Sequence, residues 1–147
     1  MPKLPLETGE HEAFAILQRT ASDLDQQVAR LIKPSGMTTG KFNVLRILRR
    51  AGAAGLACSE VAERLVRHDP DVTRLLDRLE AQGLVTRSRD AEDRRVVTAR
   101  ITEEGLRVLQ ELDEPIAALH ARQFSPLSRE QRRELVSYLQ KLRVSGE

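Results

Sequence analysis

Residues 69–85 read DPDVTRLLDRLEAQGLV, and this stretch contains the clearest helix signals of the chain. Asp69 precedes Pro70, which is the order expected for an N-cap followed by the first helical residue. Apolar residues then recur at i, i+3, i+4 and i+7, and they are Val72, Leu75, Leu76 and Leu79. This spacing places all four on one helix face, which we expect to pack on a core. Because Gly83 stands where a left-handed glycine ends a helix, the helix is predicted to end at Gln82.

The residues on both sides of this helix predict a helix-turn-helix followed by a β-hairpin. A shorter helix is predicted over 59–66, and a tight link separates it from the longer one. Two short helices joined in this way form a helix-turn-helix pattern. Residues 84–87 and 96–101 alternate with the period of strands, and the charged loop 88–95 lies between them. A hairpin directly after the second helix is a wing.

A long helix is predicted before this region, from Gly9 to Lys33. Its apolar residues repeat with alternating spacings of 3 and 4, which is a heptad seam that favours packing on another helix. The seam residues are Phe14, Leu17, Ala21, Leu24, Val28 and Leu31. At about 37 Å, such a helix is too long for a small domain alone to cover its seam.

Three further helices complete the predicted architecture. One runs over about 38–51, and another begins at Thr102 and includes Pro115, where we expect a kink. A capping box of Ser128 and Gln131 opens the last helix. The sequence therefore predicts a mainly α fold with a small β-hairpin wing.

Composition narrows the class of protein. The 147 residues are 40% hydrophobic and 31% charged, which fits one globular domain. Neither a long apolar run nor the apolar segment of a signal peptide is present, so we expect a cytoplasmic protein without a membrane partner. With 3% aromatic residues, a stacking platform for single-stranded nucleic acid is not expected. The single cysteine, Cys58, excludes an internal disulfide, and we expect it to be half-buried and unreactive.

Two motifs carry a resemblance to a known family. Residues 69–85 resemble the recognition helix of MarR-type winged-helix regulators. The family's wing signature is an Asp and an Arg two residues apart, five variable residues, and then Leu-Thr. Residues 93–102 are similar to it, reading DRR, VVTAR and IT, with Ile101 in place of leucine. The order of helices and strands resembles the family over about 9–142.

The resemblance implies a homodimeric regulator of double-stranded DNA, with a winged helix-turn-helix plus a helical dimerisation region. Residues 9–35 would be the N-terminal dimerisation helix, 38–101 the DNA-binding domain, and 102–144 the C-terminal helices that complete the dimerisation region. It also implies a pseudo-palindromic operator with half-sites about 34 Å apart. The family typically represses transcription until a small aromatic or phenolic effector, or thiol oxidation, releases the protein. No cofactor is expected, and the residues of the ligand pocket remain unknown.

The predicted DNA contacts lie on the outer side of the helix and on the wing. Arg74 can donate two hydrogen bonds to guanine, whereas Thr73 suits a thymine methyl or a phosphate and Arg78 the DNA backbone. We expect Arg95 to enter the minor groove and Arg94 to reach phosphate or share that role. Three groups complete the set. The wing-orienting residue is Asp93, the candidate phosphate donors are Lys41, Ser59, Arg87 and Arg89, and the predicted dimer residues are Phe14, Leu17, Leu24, Val28, Leu135 and Leu139.

Other interpretations of these residues remain open. The helix arginines could instead pair with nearby acids such as Asp77 on a solvated face, and we expect Asp71 to serve the helix N-terminus. The alternative function is a winged helix that binds only other proteins. His11, His68 and His120 lack metal-ligand spacing, and no nucleophile stands beside a base, so neither a metal site nor an enzyme is predicted.

Overall fold

The computed structural model describes residues 9–65 and 71–145, and six α-helices and three strands lie in these two ranges. The helices are α1 (Gly9–Ile32), α2 (Thr39–Ala51), α3 (Cys58–Arg64), α4 (Val72–Ala81), α5 (Glu103–Gln123) and α6 (Arg129–Ser145). The strands are β1 (Leu56–Ala57), β2 (Val85–Arg89) and β3 (Val97–Ile101). The helix-turn-helix of α3 and α4, with its β2–β3 wing, confirms the predicted fold class. No helix in the described ranges is long and apolar enough to cross a membrane.

Side-chain caps start three helices at the predicted residues. The hydroxyls of Thr38 and Thr102 each accept a hydrogen bond from the backbone N–H three residues on, at 3.2 and 3.0 Å. Ser128 and Gln131 form the predicted reciprocal capping box, with bonds of 2.9 and 3.1 Å. α5 continues through Pro115 as one helix.

The end of α4 follows the prediction closely. Gly83 has a φ of +76°, the left-handed conformation expected of a helix-ending glycine, and the last helical residue is Ala81 rather than Gln82. The described helix begins at Val72. The predicted cap of residues 69–70 lies outside the described residues.

The sheet contains one strand that the sequence pattern did not predict. Its order is β1–β3–β2 with antiparallel pairs, and Leu56 of β1 lies opposite Ala99 of β3. Two residues are too few to show the alternation of a strand. Gly55 precedes β1 at a point where an added Cβ would overlap the Ala99 carbonyl oxygen, so a glycine permits the strands to meet. β2 also extends to Arg89, two residues beyond the predicted end.

The core holds α4 against α2, α3 and strand β2. Its fully buried residues include Leu45, Leu48, Leu76, Leu79 and Leu109. One residue, Thr102, separates β3 from α5. Its hydroxyl donates to the Gly83 carbonyl at 2.7 Å and its N–H donates to the Leu84 carbonyl at 3.0 Å. α5 is therefore tied directly to the turn that follows α4.

The long seam of α1 is divided between two environments. Residues 9–21 are all exposed, whereas Val28 packs on the core of its own chain. Gln123 of α5 reinforces this packed half, because its amide donates to the Leu24 carbonyl at 3.1 Å and to the Gln27 side chain at 3.0 Å. On α6, Leu135 and Leu139 are half-buried and every other residue up to position 143 is exposed.

Candidate nucleic-acid interface

The exposed side of α4 has two stripes of residues at i, i+4 and i+7. The outer stripe is Arg74, Arg78 and Ala81, and the inner stripe is Thr73, Asp77 and Glu80. All six residues are exposed, while Val72, Leu76 and Leu79 are buried on the opposite side. The helix thus presents guanidinium groups along one stripe and carboxylates along the other.

The arginines of the outer stripe are available to an anionic partner. The Arg74 side chain is 66% exposed, and the ion pair that it forms with Asp71, across 3.7 Å, is long and solvent-screened. The side chain of Arg78 forms no hydrogen bond or ion pair within the described part of the chain. Asp77 pairs with neither Arg74 nor Arg78. Its carboxylate instead accepts a hydrogen bond from Arg87. Of the two arginines, Arg74 does pair with a nearby acid, as the alternative interpretation expected, but that acid is Asp71 rather than Asp77.

On the wing, the exposed side chain of Arg95 is hydrogen-bonded to the carboxylate of Asp93. The Arg95 Nε lies 3.1 Å from Asp93 Oδ1, and the Arg95 backbone N–H donates to the same oxygen, also at 3.1 Å. These bonds hold the pKa of the Asp93 carboxyl below its usual range. The Arg95 side chain is nevertheless 92% exposed. This is the geometry expected if Asp93 orients the arginine towards solvent or DNA.

A second arginine closes the wing loop on itself. Arg89, at the end of β2, donates through Nη1 to the Arg94 carbonyl at 2.7 Å. The Asp90 N–H also donates to the Val96 carbonyl at 2.9 Å, so the loop is crossed twice. Arg94 itself is exposed, and its guanidinium has no partner among the described residues. Arg94 and Arg95 are consequently the projecting cations of the wing.

Arg87, a predicted phosphate donor, instead places its guanidinium against α4. It lies 2.5 Å from the Asp77 carboxylate and 3.1 Å from that of Glu80. The backbone N–H of Arg87 also donates a hydrogen bond to the Glu80 carboxylate at 3.0 Å. The two carboxylates raise the pKa of Arg87, and Arg87 lowers the pKa of Glu80. The Arg87 side chain is only 21% exposed.

Two other candidate phosphate donors lie at helix starts. Lys41 is half-buried in the first turn of α2, and its backbone N–H is used by the Thr38 cap. Ser59 is exposed in the first turn of α3. Their contacts with DNA stay predictions.

Cys58, the first residue of α3, is half-buried and packs on the core, as predicted. Burial raises the pKa of its thiol, although the nearby Arg87 guanidinium acts in the opposite direction. Among the described residues, no three His, Cys, Asp or Glu side chains are placed to hold a metal ion. His68 lies outside the described residues.

Together, α3, α4 and the β2–β3 hairpin define a winged helix-turn-helix protein. The model of the MarR family matches residues 37–97. The transcriptional repressor MdtR of Bacillus subtilis (strain 168) is 30% identical over 131 residues, which are 89% of this chain and 83% of MdtR. The chain belongs to the MarR family of transcriptional regulators.

Solved structures share this fold along almost the whole chain. A mutant of MarR from E. coli, complexed with operator DNA, matches with a TM-score of 0.84 and 23% identity, over 95% of this chain and 99% of that one. BpsR of Bordetella bronchiseptica, whose DNA binding is described as regulated by 6-hydroxynicotinic acid, matches with a TM-score of 0.80 and 24% identity, over 89% and 98%. MdtR is named as a transcriptional repressor, and none of these three proteins is named as an enzyme.

Proposed function

We propose that this protein is a homodimeric repressor that binds a pseudo-palindromic operator in double-stranded DNA. The observation that carries the proposal is the exposed guanidinium set on two adjoining elements, Arg74 and Arg78 on α4 and Arg94 and Arg95 on the wing. Arg74 reads guanine in the major groove, Arg78 contacts the DNA backbone, and Arg95 enters the minor groove. The name of MdtR as a repressor supports the direction of regulation.

The proposed dimer pairs α1 and α6 with those of a second copy. Phe14, Leu17, Tyr138 and Leu142 are large apolar residues with 62%, 42%, 61% and 60% of their surface exposed. They are concentrated on two long helices, and such exposed apolar patches mark interfaces. Residues 9–35 and 102–144 then form the dimerisation region, and 38–101 the DNA-binding domain. Leu135 and Leu139, half-buried on α6, lie along the same interface.

A small aromatic or phenolic effector is proposed to release the repressor in the cytoplasm. The regulation described for BpsR by 6-hydroxynicotinic acid supports an effector of this class. The effector must bind the released conformation better than the DNA-bound one, since otherwise it would shift no equilibrium.

A DNA titration tests the repressor function. Labelled duplex from the region upstream of the gene is titrated with the protein at two salt concentrations, beside a shuffled duplex of the same length. We expect operator affinity at least about 10³-fold above that for the shuffled duplex, together with a steep loss at higher salt. Equal affinity for the two duplexes would contradict operator recognition. Absence of binding at low salt would favour a protein-binding module.

Arg107 provides the matched control for the arginine variants. It lies on α5 and pairs with Glu104 at 2.9 Å, and its side chain is 62% exposed, close to the exposure of Arg74. Arg107→Ala therefore removes an equally exposed charge away from α4 and the wing. We expect Arg74→Ala to weaken operator binding in this assay and Arg107→Ala to leave it unchanged.

A further inference from the structure

Arg87 occupies a position that DNA contact does not explain. Val85 and Arg87 are two residues apart on β2, so their side chains lie on the same face of the sheet. Val85 is buried, so this is the face that packs towards the interior. The Arg87 side chain is 21% exposed, whereas the Asp77 and Glu80 side chains that it binds are 58% and 42% exposed. The Arg87 side chain is thus less exposed than either of the two carboxylate side chains that it binds.

The two carboxylates would weaken DNA binding if they were left without a cation. Asp77 and Glu80 belong to the inner stripe of α4, immediately beside the outer stripe that carries Arg74 and Arg78. A recognition helix in the major groove has phosphate groups on both sides, and like charges brought together across an interface are strongly unfavourable. One half-buried guanidinium that binds both carboxylates offsets this repulsion.

We propose that Arg87 is a positioning residue that masks the charges of Asp77 and Glu80, and that it supports DNA binding through these two carboxylates without touching DNA. The proposal rests on the DNA-binding function proposed above. A phosphate donor would point its guanidinium towards DNA, whereas the guanidinium of Arg87 points towards the carboxylates of α4.

Combined substitutions separate masking from the other roles of Arg87. Arg87→Gln leaves the carboxylates of Asp77 and Glu80 uncompensated, so we expect affinity for duplex DNA to fall by about tenfold at low salt. Adding Asp77→Asn and Glu80→Gln removes the unmasked charges, so the triple variant should regain most of the lost affinity. If Arg87 donated to a phosphate, the triple variant would stay weak, because the contact would still be missing.

A melting temperature measured for each variant distinguishes masking from a purely structural role. Arg87→Gln and the triple variant both lack every ion pair of the cluster, so their melting temperatures should be similar, while DNA affinity recovers only in the triple variant. If affinity instead follows the melting temperature through the series, the masking proposal is overturned. Arg107→Gln is the matched control, since it breaks a single exposed pair on α5 and should leave the affinity unchanged.

Each variant is measured on both the upstream duplex and a random-sequence duplex at low salt. Masking reduces repulsion from any phosphate backbone, whatever the base sequence. The loss of affinity in Arg87→Gln and its recovery in the triple variant should therefore appear on both duplexes. Equal wild-type affinity for the two, with recovery in the triple variant, would contradict operator recognition and support masking. If the wild type strongly prefers the upstream duplex but the triple variant regains no affinity, masking is contradicted and operator recognition is not. If the wild type binds neither duplex, both the masking proposal and the DNA-binding function are overturned.

Discussion

Arg95 donates two hydrogen bonds to one oxygen of Asp93, from its Nε and its backbone N–H, while 92% of its side chain remains exposed. A long side chain on a loop normally loses considerable conformational freedom when it binds a partner. Here the carboxylate restricts the base of the side chain before DNA arrives. The wing therefore presents a cation whose direction is already limited.

The first prediction concerns this wing pair. Arg95→Ala should weaken operator binding on the order of tenfold with little change in sequence preference, because the minor groove is read mainly by its shape and potential. Asp93→Asn keeps the cation and loses part of its orientation, so its effect should be smaller. Both are measured by titration of the operator and of single-base variants. A larger loss for Asp93→Asn than for Arg95→Ala would contradict this assignment.

The second prediction compares the two arginines of the outer stripe. Arg74→Ala should cost about 1–3 kcal/mol of discrimination at one base pair in each half-site, because its hydrogen bonds to guanine are lost. Arg78→Ala should weaken all sequences alike and reduce the salt slope by about one. Competition titrations with single-base operator variants measure both effects. Unchanged base preference in Arg74→Ala would exclude direct readout by this residue.

The third prediction addresses the dimer. Leu17→Glu places a charge in the proposed interface, and because Leu17 is 42% exposed in the single chain, the fold should tolerate it. Light scattering should then give about one chain mass of 16.5 kDa in place of twice that value. Ala91→Glu, an exposed change on the wing loop and outside the proposed dimerisation region, is the control and should remain dimeric. A dimer that survives Leu17→Glu would show that this part of α1 lies outside the interface.

The fourth prediction concerns Cys58. Because burial raises the pKa of its thiol, less thiolate is present at neutral pH, and alkylation by iodoacetamide should be slower than for an unstructured peptide thiol. Arg87→Gln removes the nearby cation that lowers this pKa, so alkylation should slow further. Mass spectrometry against time measures the rate at several pH values. Alkylation faster than that of the peptide would contradict this environment for the thiol.

The fifth prediction follows from the lowered pKa of Glu80. Since Arg87 causes that shift, Arg87→Gln should return the pKa of Glu80 towards its ordinary value, which a carboxyl NMR titration can measure. A lowered folded-state pKa adds stability above the unfolded-state pKa, and this is lost as pH falls through the folded-state value. The difference in urea midpoint between wild type and Arg87→Gln should therefore shrink over that acidic range. A constant difference would assign the stability to another contact.

Local sequence patterns predicted most of the fold because the forces behind them are local. The spacing of Val72, Leu76 and Leu79 decides which side of α4 can be buried, and Thr102 and Ser128 cap helices within three residues of themselves. The same reason applies to Asp93, whose partner is two residues away.

The features that the sequence did not predict depend on distant parts of the chain. Arg87 binds carboxylates seven and ten residues earlier, and only the packing of β2 on α4 brings them together. Strand β1 exists because β3 lies beside it, although the paired residues Leu56 and Ala99 are far apart along the chain. The heptad spacing of α1 likewise carries no information about which half packs on its own chain, as Val28 does.

Because Thr102 binds the backbone carbonyls of Gly83 and Leu84, a movement of α5 is transmitted to the end of α4. The 21 residues of α5 extend for about 31 Å from Thr102 through the proposed dimerisation region. A tilt of about 5° about the far end of α5 displaces Thr102 by about 3 Å, roughly the length of one hydrogen bond. Because Thr102 holds the backbone just after α4, that displacement reaches α4 and the wing together. In the proposed dimer, small angular changes where the two copies meet would therefore change the register of the two α4 helices on the two proposed half-sites of DNA.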